Sequence, residues 1–99
     1  METVILLAED EKKLRDMTAQ HLKQEGYKVA LAADGLEAIH YWQELQPDLL
    51  VLDLMLPGLS GWEVLKKIRQ KHDTPVIVLT ARADEVDKLL GLELGADDY

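Results

Sequence analysis

Four short apolar runs recur along the chain: Thr3–Ala8 (TVILLA), Tyr27–Ala32 (YKVALA), Leu49–Leu52 (LLVL) and Val76–Leu79 (VIVL). The first, third and fourth are unbroken, which predicts strands covered on both faces, as in a parallel sheet flanked by helices. In the second, Tyr27, Val29 and Leu31 alternate with Lys28, Ala30 and Ala32. That alternation predicts a strand with one face less buried, placed at an edge of the sheet.

Between these runs the apolar spacing changes to a helical one. Glu11–Glu25 carries Leu14, Met17 and Leu22, with Asp10 as a candidate N-cap and Gly26 as the stop. Asp34-Gly35-Leu36-Glu37 has the spacing of an N-cap and an acid at the third helical position. It opens a second helix with Leu36, Ile39 and Trp42 on its buried face, ending near Leu45 ahead of Pro47. Ser60-Gly61-Trp62-Glu63 reads as a capping box before Val64, Leu65 and Ile68, and predicts a third helix to about Lys71. Asp84 is placed to cap a fourth helix with Val86, Leu89, Leu90 and Leu94 inward and Gly95 at its end. Gly91 within it costs about 1 kcal/mol relative to Ala.

Strand and helix alternate throughout, with no linker, low-complexity segment or longer repeat. The expected fold class is α/β: a parallel sheet with right-handed crossovers and helices on both faces, a three-layer αβα sandwich. At 99 residues the chain is one small domain with a thin core, and its 47% hydrophobic and 30% charged content is that of a globular protein. Acids outnumber bases 19 to 11, for a formal net charge of −8, which argues against direct nucleic-acid binding and favours metal cations as partners. The absence of cysteine excludes disulfides and thiolate chemistry. No apolar run is long enough to span a bilayer and the acidic start is unlike a signal peptide, so a cytoplasmic location without membrane contact is expected.

The candidate chemistry lies where strands end. The first run stops at Glu9 and Asp10, the third at Asp53 and the fourth at Thr80. Ligand sites in open α/β sheets lie beyond the carboxyl ends of strands, although Asp53 could equally cap the loop containing Pro57, Gly58, Ser60 and Gly61. If the three strands are neighbours, three carboxylates converge. Mg2+, which prefers oxygen ligands in octahedral geometry, would relieve their repulsion. A nucleophilic carboxylate, a Lewis acid and the Thr80 hydroxyl are parts for phosphoryl transfer to an aspartate, and the small Ala81 leaves the phosphoryl position open. His21, His40 and His72 lack metal-ligand spacing, and no phosphate-binding loop motif is present.

The segments ILLAEDE, DLLVLDLMLPGLSGWEVL, TPVIVLTAR and GLELGADDY, in this order, resemble the receiver domain of bacterial response regulators over Val4 to Tyr99. They are most similar to the class usually joined to a winged-helix DNA-binding domain. The resemblance implies a flavodoxin-like (βα)5 fold with sheet order 2-1-3-4-5, a sensor histidine kinase as partner, and a signalling switch rather than a dedicated enzyme. It implies Asp53 as phosphoacceptor and Mg2+ held by Glu9, Asp10, Asp53 and the backbone carbonyl of Met55. It further implies Thr80 as the switch hydroxyl and Tyr99 as the aromatic that follows it.

The chain departs from that pattern at its end. Receivers continue into a fifth strand bearing a Lys-Pro pair and a fifth helix, so residues 1–99 are expected to be a receiver truncated to about four βα units, with no residue in the lysine's role. VIVL would then be an apolar sheet edge, open to homodimerisation or strand exchange together with the fourth helix. Two other functions compete with the switch. One is a truncated or degenerate receiver serving only as a protein-interaction module. The other is an aspartyl-phosphate phosphatase of the haloacid dehalogenase type, which needs a second Asp where Met55 stands.

Overall fold

The unbroken runs within Val4–Ala8 and Leu49–Asp53 become central strands, because only a site covered on both faces buries successive side chains that point opposite ways, whereas Val76–Leu79 ends the described sheet, with Val76 and Val78 buried, Ile77 half-buried and Leu79 exposed. The computed structural model describes residues 3–79, with β1 (Val4–Ala8), α1 (Lys12–Gln24), β2 (Lys28–Ala32), α2 (Gly35–Leu45), β3 (Leu49–Asp53), α3 (Gly61–Arg69) and β4 (Val76–Leu79) in chain order. The strands form a parallel sheet in the order β2-β1-β3-β4, as expected for a flavodoxin-like receiver fold. The fourth helix, Thr80, Ala81 and Tyr99 lie outside the described residues.

Two apolar layers clamp the sheet. On one face Leu6, Ala8, Leu50, Leu52, Val76 and Val78 meet Ala38 and Trp42 of α2 and Val64, Leu65 and Ile68 of α3. On the other, Ile5, Leu7 and Val51 meet Ala19 of α1. Odd and even positions of one strand therefore serve different cores. Among the described residues, no helix is long and apolar enough to cross a membrane.

The helix ends follow local chemistry. Asp34 Oδ1 accepts the Glu37 N–H at 2.8 Å while Glu37 Oε1 accepts the Ala33 N–H at 2.7 Å, so the start of α2 is closed from both sides. Gln46 ends α2 in the left-handed region, with φ 45°, and its N–H still reaches the Trp42 carbonyl at 3.0 Å. At α3, Ser60 Oγ accepts the Glu63 N–H at 3.3 Å, but the Glu63 carboxylate binds the Ser60 hydroxyl, also at 3.3 Å, and only half of the capping box forms.

Several sequence expectations are corrected. Asp10 does not cap α1: Glu11 is the N-cap, without a side-chain cap bond, and its N–H is taken by Glu9 Oε2 at 3.1 Å. Leu14 and Met17 are 44% and 50% exposed, and α1 is seated on Ala19 and Leu22 instead. Met17 and Leu22 are five residues apart, roughly 140° round a helix, so they never shared one face. Leu36 is 64% exposed, because the inward face of α2 is Gly35, Ala38 and Trp42, and Leu36 lies roughly 100° on from Gly35.

β2 is at the sheet edge, as its alternation predicts. Tyr27 falls outside the strand and is exposed, however, and the deeper face is that of Ala32, with Val29 and Leu31 only half-buried against α1. α3 ends at Arg69, two residues before the expected Lys71.

Asp48 closes the amino end of the β1–β3 pair in a way the sequence does not announce. Its N–H donates to the Val4 carbonyl at 2.8 Å, and its Oδ2 accepts the Val4 N–H at 2.8 Å. Asp48→Ala is expected to lower unfolding stability by about 1 kcal/mol, read from the urea midpoint, because the bond is solvent-accessible and water partly replaces it. An unchanged midpoint would show that the side chain adds nothing to this junction.

Candidate functional site

β1 and β3 are neighbours with Ala8 opposite Leu52, so the residues that follow, Glu9 and Asp53, emerge side by side at the carboxyl end of the sheet. Glu9, Asp10 and Asp53 each offer a carboxylate oxygen within 4.8 Å of the others. Glu9 is buried, Asp53 half-buried and Asp10 exposed. Two ionised carboxylates at such a distance repel by about 3 kcal/mol at an effective dielectric near 20. Convergence of these acids is therefore a cost that the packed strands sustain.

Backbone donors offset part of that cost. The Glu11 N–H serves Glu9 Oε2 at 3.1 Å, and the Met55 N–H serves Asp53 Oδ1 at 3.0 Å. The second bond is an Asx-turn, so Asp53 does cap its loop and also faces the cluster. Burial pushes the Glu9 carboxyl up to about 7, the neighbouring carboxylates of Asp53 and Asp10 add to the rise, and the Glu11 N–H opposes it.

Arg15 is a contributor that sequence reasoning missed. Its guanidinium Nη1 donates to the backbone carbonyls of Glu9, at 2.9 Å, and Asp10, at 3.3 Å, fixing the acidic loop from the first turns of α1. The available signal was an arginine one to two turns into a helix that opens on acids.

The loop after Asp53 is held from both ends. Leu54 and Leu56 are buried in the larger core, which leaves Met55 between them turned outward and 58% exposed. The Gly61 N–H donates to the Leu54 carbonyl at 3.1 Å, and a Cβ at Gly61 would meet the Asp53 carbonyl oxygen and lie 2.6 Å from Leu54 Cα. Only glycine lets α3 start so close to the site. The Gly35 N–H donates to the Pro57 carbonyl at 3.2 Å, tying the start of α2 to the same loop.

The structure thus brings together Glu9, Asp10 and Asp53, with Met55 beside them. Thr80, Ala81 and Tyr99 fall outside the described residues. His21, His40 and His72 are exposed, and none belongs to the cluster. An all-oxygen donor set of three converging carboxylates suits Mg2+.

The family model for the response regulator receiver domain matches residues 5–99. The chain belongs to this family. Among solved structures, this receiver domain is similar to the Francisella response regulator 1452 receiver domain, at 35% identity and a TM-score of 0.92, covering 99% of this chain and 82% of that one. It is similar to the BeF3-activated N-terminal receiver domain of Klebsiella pneumoniae RstA, at 30% identity and a TM-score of 0.91, covering 98% and 83%. It also resembles the response regulator TrrA from Thermotoga maritima, solved in complex with Mg2+ and BeF, at 34% identity and a TM-score of 0.88, covering 100% and 84%. Receiver domains are signalling modules that bind Mg2+ at an acidic pocket, and this chain carries an acidic cluster of that composition.

The raised carboxyl of Glu9 sets a pH dependence for the metal-free protein. Protonation of Glu9 favours the folded state, so its contribution to stability is full below about pH 4.5 and is lost as pH rises through about 7. Urea midpoints measured without divalent cations are expected to climb between about pH 8 and pH 5. Glu9→Gln should flatten that climb, and an equal climb in the variant would assign it to other groups.

Proposed function

We propose that this receiver domain is the phosphoacceptor switch of a two-component system, taking a phosphoryl group on Asp53 from a sensor histidine kinase. The observation that carries the reading is Asp53 at the carboxyl end of a central strand, with the oxygens of Glu9 and Asp10 within 4.8 Å. The fold of the beryllofluoride-bound relatives supports it, because a beryllofluoride on a carboxylate has the tetrahedral shape of a phosphoryl group.

In this reading an Asp53 carboxylate oxygen attacks phosphorus, the bond from phosphorus to the kinase imidazole nitrogen breaks, and an acyl phosphate forms on Asp53. Glu9, Asp10, Asp53 and the Met55 backbone carbonyl would hold Mg2+, which supplies charge neutralisation for the transferred group. The Met55 N–H, bound to Asp53 Oδ1 at 3.0 Å, orients the carboxylate. Arg15 keeps the backbone of Glu9 and Asp10 in place through their carbonyls. We assign Thr80 the hydroxyl that binds the phosphoryl group, Ala81 the small residue that admits it, and Tyr99 the aromatic that follows Thr80. Such a switch regulates an output, which we take to be transcription, by shifting the balance between two conformations.

Incubation of the protein with acetyl phosphate and Mg2+ is expected to add the mass of one phosphoryl group. Asp53→Asn should abolish the addition, as should chelation of the metal, and Asp10→Asn should weaken Mg2+ binding about tenfold or more. Trp62, half-buried in the first turn of α3, should report Mg2+ with beryllofluoride by a change in fluorescence. Absence of the adduct in the wild type, or its persistence in Asp53→Asn, would overturn the proposal.

A further inference from the structure

Glu9, Asp10 and Glu11 connect β1 to α1, and two of the three clustered acids stand on this connection. At its start it is tied to the sheet, because the Glu9 N–H donates to the Ala32 carbonyl of β2 at 3.0 Å. At its end the tie is weaker, because Glu11, the N-cap of α1, makes no side-chain cap bond. Asp53, by contrast, is the last residue of β3 and has its Oδ1 held by the Met55 N–H at 3.0 Å. Asp10, exposed and past the end of β1, is thus the acid that neither the sheet nor a helix cap places.

Arg15 supplies that tie. The half-buried side chain reaches back from α1, and its Nη1 donates to the Glu9 carbonyl at 2.9 Å and to the Asp10 carbonyl at 3.3 Å. Both acceptors are neutral, in a chain with 19 acids. One nitrogen therefore bridges two successive peptide groups without taking up a carboxylate oxygen of the cluster. A clamp on the start of α1 would explain the bonds, but it would not favour one cation over another.

Two hard divalent cations respond differently to how firmly such a site is held. Mg2+ demands near-ideal octahedral geometry, whereas Ca2+ accepts a variable number of oxygens in flexible arrangements. Loosening the backbone of Glu9 and Asp10 therefore weakens Mg2+ binding more than Ca2+ binding. The positive charge of Arg15 acts in the opposite sense, repelling either cation, and it repels both alike because their charges are equal. In the ratio of the two dissociation constants the charge cancels and the positioning remains.

We infer that Arg15 is a positioning residue that sets the preference of the acidic site for Mg2+ over Ca2+, by fixing the backbone of Glu9 and Asp10. The inference rests on the reading of Glu9, Asp10 and Asp53 as the ligands of the cation. Arg15, a cation itself, is not one of them.

The test is calorimetric titration of the unphosphorylated protein with MgCl2 and with CaCl2, at constant pH and ionic strength, for the wild type, Arg15→Ala and Arg15→Lys. In Arg15→Ala the Mg2+ dissociation constant is expected to rise about tenfold and that of Ca2+ by roughly threefold or less. Arg15→Lys, which keeps the charge and can reach one of the two carbonyls, should lie between the wild type and Arg15→Ala in the Ca2+ to Mg2+ ratio. Urea midpoints without divalent cations identify which variants fold, and the comparison of wild type with Arg15→Lys decides the matter by itself where the alanine variant does not. An unchanged ratio, or a greater loss for Ca2+ than for Mg2+, would overturn the inference while leaving the Mg2+ site in place. Absence of saturable Mg2+ binding in the wild type would overturn the reading of the site and the inference with it.

Discussion

The pairing of β1 with β3 is the constraint on which the molecule depends. In a parallel sheet a slip of one residue turns every side chain to the opposite face. Here Leu6, Ala8, Leu50 and Leu52 belong to one core and Ile5, Leu7 and Val51 to the other, so a slipped register would empty both at once. The same register sets Ala8 beside Leu52 and hence Glu9 beside Asp53. The apolar layers thereby hold the acids together against a repulsion that the acids cannot relieve themselves. Glu9, buried and with its carboxyl pushed up to about 7, shows where that tension is concentrated.

A site built this way trades stability for readiness. Replacing an acid would relieve the fold, yet the acids are what make the carboxyl end of the sheet attractive to a cation. The surrounding parts are arranged to limit motion rather than to neutralise charge. Arg15 binds backbone carbonyls and not carboxylates, and Gly61 lets the start of α3 press against the Asp53 carbonyl. The Met55 N–H then fixes the carboxylate of Asp53 itself. Positioning of this kind is what phosphoryl transfer chiefly asks of a protein.

The two ends of the sheet differ in charge and in construction. At the carboxyl end, loops with acidic side chains meet the amino ends of α2 and α3. At the amino end, the last turn of α3 carries Lys66, Lys67 and Arg69, while that of α2 carries no base. Basic residues near helix carboxyl ends complement the helix dipole, so this placement also favours α3 itself.

Much of this was legible in the sequence, for a local reason. Unbroken runs such as LLVL followed by Asp53, and caps such as Asp34 and Ser60, carry their meaning within a few residues, because burial on both faces and capping are short-range requirements. The strand order came from the resemblance to receiver domains and not from the alternation, and the nearness of Glu9, Asp10 and Asp53 was conditional on the strands being neighbours, which the sheet order β2-β1-β3-β4 makes so for β1 and β3. Which helical face turns inward did not follow. Leu14, Met17 and Leu36 are apolar yet exposed, while Ala19 and Ala38 carry the contact, because the sheet selects the face that lets the helix approach closely. The roles of Arg15 and Asp48 depend on partners reached through the fold: the Glu9 carbonyl and the Val4 N–H, the latter 44 residues away. Composition and periodicity decided the layers and the acids. Only tertiary packing decided which groups would hold those acids still.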